Sequence, residues 1–281
     1  MKYTVKKKIV IIFLTFNSDK IISKSLKSAK KVTNDIVIVD SYSKDKTVEI
    51  CKRHNSKIFY RKFKNYSDQR NWIINKLTKK YTWQLHLDAD EILDNKAINS
   101  INHCLKKSKF EAYLIKRKDY FLKIKLNFSG LNPWHLRLFK SNKAFCEDKL
   151  YDQHFITSVP TGKLNGFMHD INHMSLSKWK KQHLIWSKLE AKNNFNNISN
   201  KKILKGNFNL DQRTRTRFFK NCYYKFPIKI RVYLLFLYRL IFKLAFLDGK
   251  IGVLFCYYQA FWFRMKVDEE IQDIVKSKNY K

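Results

Sequence analysis

Residues 83–93, WQLHLDADEIL, decide the fold of this chain. Trp83, Leu85 and Leu87 alternate with Gln84 and His86, the period-two pattern of a half-buried strand. The run ends in Asp88-Ala89-Asp90-Glu91, three carboxylates within four residues. Continued alternation would turn Asp88 and Asp90 to one side, so that both face one ligand. Two acids held that close repel each other unless a cation lies between them. Hard oxygen donors suit Mg²⁺ or Mn²⁺, which are commonly shared with substrate phosphates. The plainer expectation is an acidic loop with Asp90 or Glu91 at the start of the next helix.

Working outward from this stretch, residues 8–16 (KIVIIFLTF) form a continuous apolar run of strand length, as a buried parallel strand would. Apolar positions at Ile21, Ile22, Leu26 and Ala29 predict a helix over 18–31, and 35–40 (DIVIVD) a second buried strand. Helices over 47–55 and 68–79 bracket a short strand at 57–60, and the strand at 82–87 closes the series. Strand and helix alternating in this way predict a parallel α/β sheet. Ligands of such sheets lie beyond the carboxyl ends of the strands, and Asn17, Asp40 and Asp88 all fall at such ends. That coincidence favours a binding role for the acids.

Beyond residue 93 a helix is expected over 94–107, then strands over 112–125 and 135–139 of a mixed sheet, with a turn at Gly130-Leu131-Asn132-Pro133. A helix over 176–194 carries Trp179, His183 and Trp186 on one face. From 218 to 267 the chain is densely aromatic and aliphatic yet punctuated by Lys and Arg. Its longest charge-free stretch, 251–263, is short for a bilayer span. Arg239 and Lys243, four residues apart, suggest amphipathic helices lying in a membrane interface with these cations at the headgroups; core helices packed on the domain are the alternative. The domain expectation is 1–215, divided into an alternating α/β half (1–95) and a mixed half (96–215), and a membrane-associating tail over 216–281.

The net charge of +35 raises nucleic acid as a partner. The charge is mostly Lys, spread along the chain, with no zinc-finger spacing, helix-turn-helix or RNP-like strand. An anionic membrane surface or a diphosphate-bearing substrate accounts for it equally well. Five scattered cysteines without a C-x-x-C pair fit reduced thiols and a cytosolic compartment. The N-terminal run leads straight into Asn17-Ser18-Asp19 with no cleavage site, so a first strand is expected there and not a signal peptide.

Thr15-Phe16-Asn17, Asp40-Ser41-Tyr42-Ser43-Lys44-Asp45-Lys46-Thr47, Gln69-Arg70-Asn71 and Asp88-Ala89-Asp90 follow one another in order. This series resembles the nucleotide-sugar-binding half of the family-2 glycosyltransferases, which have the GT-A fold. Arg137-Leu-Phe, the segment 147–155 (EDKLYDQHF) and the helix over 176–191 resemble bacterial members that build lipopolysaccharide core, O-antigen or capsule. The resemblance implies that Asp88 meets the ribose or the metal, that Asp90 ligates a Mn²⁺ or Mg²⁺ ion, and that Asp40 contacts the nucleotide base. It further implies that Thr15 and Asn17 line the nucleotide pocket and that Arg70 anchors the acidic cluster or the diphosphate. His173 matches a position where relatives place a histidine close to the metal.

An inverting transfer also needs a base for the acceptor hydroxyl. Asp152, with His154 to tune it, stands beside the alternatives Glu147 and Asp148. The expected reaction moves a hexose from an NDP-sugar, UDP-linked, to a lipid-linked or lipopolysaccharide acceptor at the cytoplasmic face of the membrane. A peptide or protein acceptor, or a non-enzymatic basic protein binding membrane or nucleic acid, are the alternatives. A nucleotidylyltransferase would need a Gly-rich loop after the first strand, which TFNSDKII lacks.

Overall fold

The computed structural model describes residues 7–171, 174–196 and 212–279. Its strands are β1 (Lys7–Thr15), β2 (Ile36–Asp40), β3 (Lys57–Tyr60), β4 (Tyr81–Asp88), β5 (Glu91–Leu93), β6 (Ala112–Phe121), β7 (Ile124–Lys125), β8 (Trp134–Lys140), β9 (Phe145–Cys146), β10 (Phe155–Ile156) and β11 (Thr161–Asp170). The helices are α1 (Ile22–Lys30), α2 (Thr47–Arg53), α3 (Tyr66–Leu77), α4 (Asn95–Lys106), α5 (Leu176–Asn196), α6 (Gln212–Tyr223), α7 (Ile228–Leu237), α8 (Gly249–Cys256) and α9 (Phe263–Asn279). Wider π turns continue α7 over Tyr238–Phe242 and lead into α9 over Tyr257–Trp262.

The main sheet runs in the order β3-β2-β1-β4-β8-β6-β11-β5, with β7 paired to the end of β6. The first four strands are parallel, and β8 opens the antiparallel half by pairing with both β4 and β6. This is the mixed sheet that the sequence predicts. The chain divides into two compact units. The first holds residues up to Arg117, then Pro133–Asp148 and Gln153–Ile171; the second holds Lys118–Asn132, Lys149–Asp152 and the helices from α5 onward. The partition differs from the expected boundary at 215/216: α5 packs along α9, and its Trp179 packs on Phe121 at the end of β6 within the same unit.

Alternation builds the core. Ile9, Ile11 and Phe13 of β1 pack into one cluster with Leu26, Leu85 and Leu87, while Val10, Ile12 and Leu14 point to the other face with Val37 and Ile73. Burying whole side chains of this kind is worth about 1.5–3 kcal/mol each, so β1 and β4 form the rigid centre against which the site is set. The strand β4 is buried on both faces, where a half-buried strand was expected. Its polar face carries Gln84 and His86, both fully buried, and Gln84 is satisfied by the Ile74 carbonyl and Ser141 Oγ at 3.1 Å each.

The predicted strand over 112–125 is broken at Leu122 and Lys123, whose φ angles of 47° and 69° make the tight hairpin turn between β6 and β7. The long strand β11 has no clean alternation in sequence; it is extended because it pairs with β5 (Met168 opposite Leu93). Asp94, and not Asp90 or Glu91, caps the following helix α4, its side chain accepting from the Ala97 amide at 2.7 Å.

Candidate active site

Three strand ends meet in the first unit. Thr15, the last residue of β1, donates its hydroxyl to Asp40 Oδ2 at 2.8 Å. Asp40, the last residue of β2, also accepts from the Ser43 amide (2.8 Å) and the Ser43 hydroxyl (2.6 Å). Ser43 Oγ in turn accepts from the Asn17 amide at 2.9 Å, and Asn17 Oδ1 accepts from the Lys44 amide at 2.8 Å. Four of the sequence motif's polar groups therefore lock the β1 and β2 loops together. Asp40 itself is completely buried. Its visible task is to hold the loop that displays Tyr42, and the expected direct contact with a nucleotide base finds its carboxylate already engaged.

Tyr42 is exposed, stands at φ 62°, and stacks on Tyr60 with ring centroids 5.7 Å apart. A left-handed, non-glycine residue costs about 1 kcal/mol or more and concentrates at functional loops. Neither tyrosine is marked by a sequence pattern, since exposed aromatics at loop tips have no periodic signature.

The end of β4 carries the acids. The strand stops at Asp88, and Ala89-Asp90 form a turn before β5, so strand alternation does not govern Asp90. Instead the chain folds back, and Glu91 accepts the Asp88 amide proton at 2.8 Å. Two arginines converge on the Asp88 carboxylate: Arg70 of α3 donates to Oδ1, and Arg137 of β8 to Oδ2 at 2.9 Å. Arg137 also donates to Glu91 at 2.6 Å. Of the two tasks expected of Arg70, the structure displays the anchoring of the acidic cluster.

These contacts set the charges. Burial opposes ionisation of Asp88, but Arg137 and Arg70 outweigh it and hold the carboxyl down to about 2. Burial pushes Glu91 up, Arg137 opposes this and the Asp88 charge adds to it, and the net result is about 7. For Asp90, burial and then the charges of Asp170, Asp88 and Glu91 all push well above the usual carboxylate range. His86, behind the cluster, is held neutral by burial and by the charges of Arg70 and Arg137. Asp170, at the end of β11, pairs with Arg117 at 3.3 Å; the fold brings it and Arg137 to the site, where sequence pattern gives neither a role. Asp170 lies 80 positions from Asp90, a spacing that no motif marks.

The candidate bases separate. Glu147 is fully buried and accepts from the His154 amide at 2.8 Å, with His154 Nδ1 at 3.0 Å. Asp148 is exposed. Asp152 is exposed at φ 57°, with Lys220 Nζ at 3.5 Å and Arg217 at 4.0 Å from Oδ2. His173 lies outside the described residues.

Glycosyl transferase family 2, taken as a sequence family, matches residues 10–168, more than half of the chain. The chain belongs to this family. Its curled mixed sheet flanked by helices is the GT-A-like arrangement that the resemblance implied. An uncharacterized glycosyltransferase of Rickettsia typhi is 27% identical over 165 residues, 58% of this chain and 52% of that protein. The SPbeta prophage-derived glycosyltransferase SunS of Bacillus subtilis is 40% identical over 82 residues, 28% of this chain and 19% of its own length. This family 2 chain thus spans about half the length of the Rickettsia relative. Among solved structures, Staphylococcus aureus TarS 1–349 in complex with UDP-GlcNAc is similar at 14% identity, with a TM-score of 0.47 over 97% of this chain and 92% of that one.

No three His, Cys, Asp or Glu side chains converge into a ready metal cage among the described residues. The donor set nonetheless fits a Mg²⁺-like ion, which takes one or two carboxylates and completes its shell with water and substrate phosphate. Asp90, crowded by like charges, is the group whose ionisation such an ion would restore.

Proposed function

We propose that this family 2 chain is a metal-dependent, inverting hexosyltransferase. It takes an NDP-sugar, UDP-linked, and delivers the hexose to a lipid-linked or lipopolysaccharide- or capsule-type glycan at the cytoplasmic face of a membrane. One observation carries the donor half of the reading. A half-buried carboxylate with raised proton affinity, Asp90, sits beside an arginine-clamped one, Asp88, at the end of the central strand and close to Asp170. An acid kept so unfavourably ionised is stabilised by a hard cation, and an NDP-sugar supplies the remaining oxygen ligands.

A divalent ion bound there would neutralise the charge that develops on the departing diphosphate. The chain's own groups do the rest. Arg70 and Arg137 fix the Asp88 carboxylate toward the ribose. The Thr15–Asp40–Ser43–Asn17 lattice holds the two loops that border the nucleotide, and Tyr42 offers it an aromatic face.

For the acceptor, the Glu147–His154 pair supports base catalysis better than Asp152, whose charge is offset by Lys220 and Arg217. With Glu147 accepting from Nδ1–H, the basic nitrogen of His154 is Nε2. It would take the acceptor hydroxyl proton as that oxygen attacks the anomeric carbon and the C1–O bond to the diphosphate breaks. The acceptor class is supported by the outward apolar surface of the tail helices.

A thermal-shift screen of NDP-sugars with Mn²⁺ or EDTA tests the donor half. A UDP-sugar should raise the midpoint only with Mn²⁺, and Asp90→Asn should abolish the rise. An equal rise in EDTA overturns the metal assignment, and no rise with any NDP-sugar overturns the donor assignment.

A further inference from the structure

The tail helix α7 and the π turn that continues it are amphipathic in the wrong sense for water. Ile230, Tyr233, Leu237, Tyr238, Ile241 and Phe242 are all exposed, Phe242 by 76%. Their spacing of three, four, seven and eight residues places them on one helical stripe. The two arginines among them turn inward instead. Arg231 is buried in an ion pair with Asp268, and Arg239 is buried and donates to the Ser129 carbonyl. This reverses the expectation that Arg239 would sit at lipid headgroups: it is an internal strut, and the apolar side chains face out. The stripe continues past the helix, where Phe246 and Leu247 are half exposed.

Contiguous apolar surface of this kind marks an interaction site. Charge selects the partner. No Asp or Glu occurs from 226 to 247. Asp248, which follows, is turned inward to accept from the amides of Asn127, Phe128 and Ser129 at 3.0, 2.9 and 2.7 Å. Exposed Lys225, Lys243 and Lys250 flank the stripe. An apolar band bordered only by cations complements an anionic lipid surface: rings and aliphatic chains enter the acyl boundary while the lysines meet phosphate. No helix among the described residues is long and apolar enough to cross a membrane.

We infer that the outward face of residues 226–247 is a monolayer-inserting surface that holds this chain on anionic lipid. It rests on the proposed membrane-linked acceptor only for its purpose; lipid binding requires no transfer, so the two fail separately. The stripe lies in a turn-rich hairpin pinned at both ends. Asp248 fastens one end to the 127–129 loop, and Arg231 fastens the other to α9, which holds the band rigid enough to enter lipid as a unit.

The test is co-sedimentation of the whole chain with vesicles of phosphatidylglycerol and phosphatidylcholine, or of phosphatidylcholine alone. The chain should bind the anionic vesicles and stay partly bound at about 0.5 M salt, where surface charge is screened. The triple variant Leu237→Glu, Ile241→Glu, Phe242→Glu should bind about tenfold more weakly or worse, while Ile185→Glu, at an exposed site on α5, should bind as the parent does. The single change Phe242→Ser, at the most exposed ring, gives a milder loss and guards against misfolding of the triple variant. Equal binding by parent and both variants overturns the inference. So does binding that salt abolishes completely, or a dimer of the parent that the substitutions dissociate with no vesicle binding by either protein. The NDP-sugar thermal shift, measured on the same variants, should be unchanged.

Discussion

Arg137 reaches across from β8 to place one guanidinium nitrogen 2.9 Å from Asp88 Oδ2 and 2.6 Å from Glu91. One cation thus serves two carboxylates at the end of the central strand, Glu91 buried and Asp88 partly open to water. Removing one partner of such a group leaves uncompensated buried charge and costs about 3–5 kcal/mol. Arg137→Met should lower the unfolding free energy by about that amount, read from urea melts at pH 7. Arg137→Lys should recover part of it, because both acids bond to a single nitrogen that an ammonium can replace, though on a shorter stem.

Asp90 answers to the opposite logic. Its raised proton affinity means that the folded state holds a proton the unfolded chain would release, so the ionised form burdens the fold at neutral pH. Asp90→Asn should therefore melt at a higher temperature than the parent in EDTA at pH 7, and lose about a hundredfold or more in transfer rate. Full activity in this variant would remove Asp90 from the metal.

Loss of Asp40 should act through the loops. Asp40→Ala would leave the hydroxyls of Thr15 and Ser43 and the Ser43 amide without their common acceptor. Donor affinity, measured by titration calorimetry, should fall about tenfold, with a stability loss of about 1–3 kcal/mol.

Burial, reinforced by the Arg264 charge and opposed by the hydrogen bond to Trp179, pushes His183 of α5 down from 6.5 to about 4. The folded state therefore binds this proton less readily than the unfolded one. The stability it contributes is complete above pH 6.5 and drains as the pH falls toward 4, by up to about 3 kcal/mol. Melting curves of the parent and His183→Phe between pH 7 and 4 should converge on acidification.

Gly166 of β11 sits at φ 89°, and a Cβ there would lie 2.2 Å from the Ala97 amide nitrogen at the start of α4. Gly166→Ala should destabilise by about 1–3 kcal/mol. The shift in urea midpoint checks it.

The series of strands and helices up to residue 93 was legible because each element carries its own period: continuous apolar runs for β1 and β2, three- and four-residue spacing for α1. The strand-end positions of Thr15, Asn17, Asp40 and Asp88 were legible for the same reason. The two-residue strands β9 and β10 were not, since each is too short to carry a period. Neither were the inward turn of Arg239 and the outward stripe of α7, because a helix dense in both cations and apolar residues has no preferred face until its neighbours are in place.

By itself, then, the sequence determined the alternating architecture, the family and the clustering of acids after the central strand. Only the tertiary structure decided how those acids are charged. Arg70 and Arg137 stand 18 and 49 positions from Asp88, and Asp170 stands 80 from Asp90. Electrostatic energy depends on distance through a low-dielectric interior, and chain spacing leaves that distance open until the sheet has closed around the site.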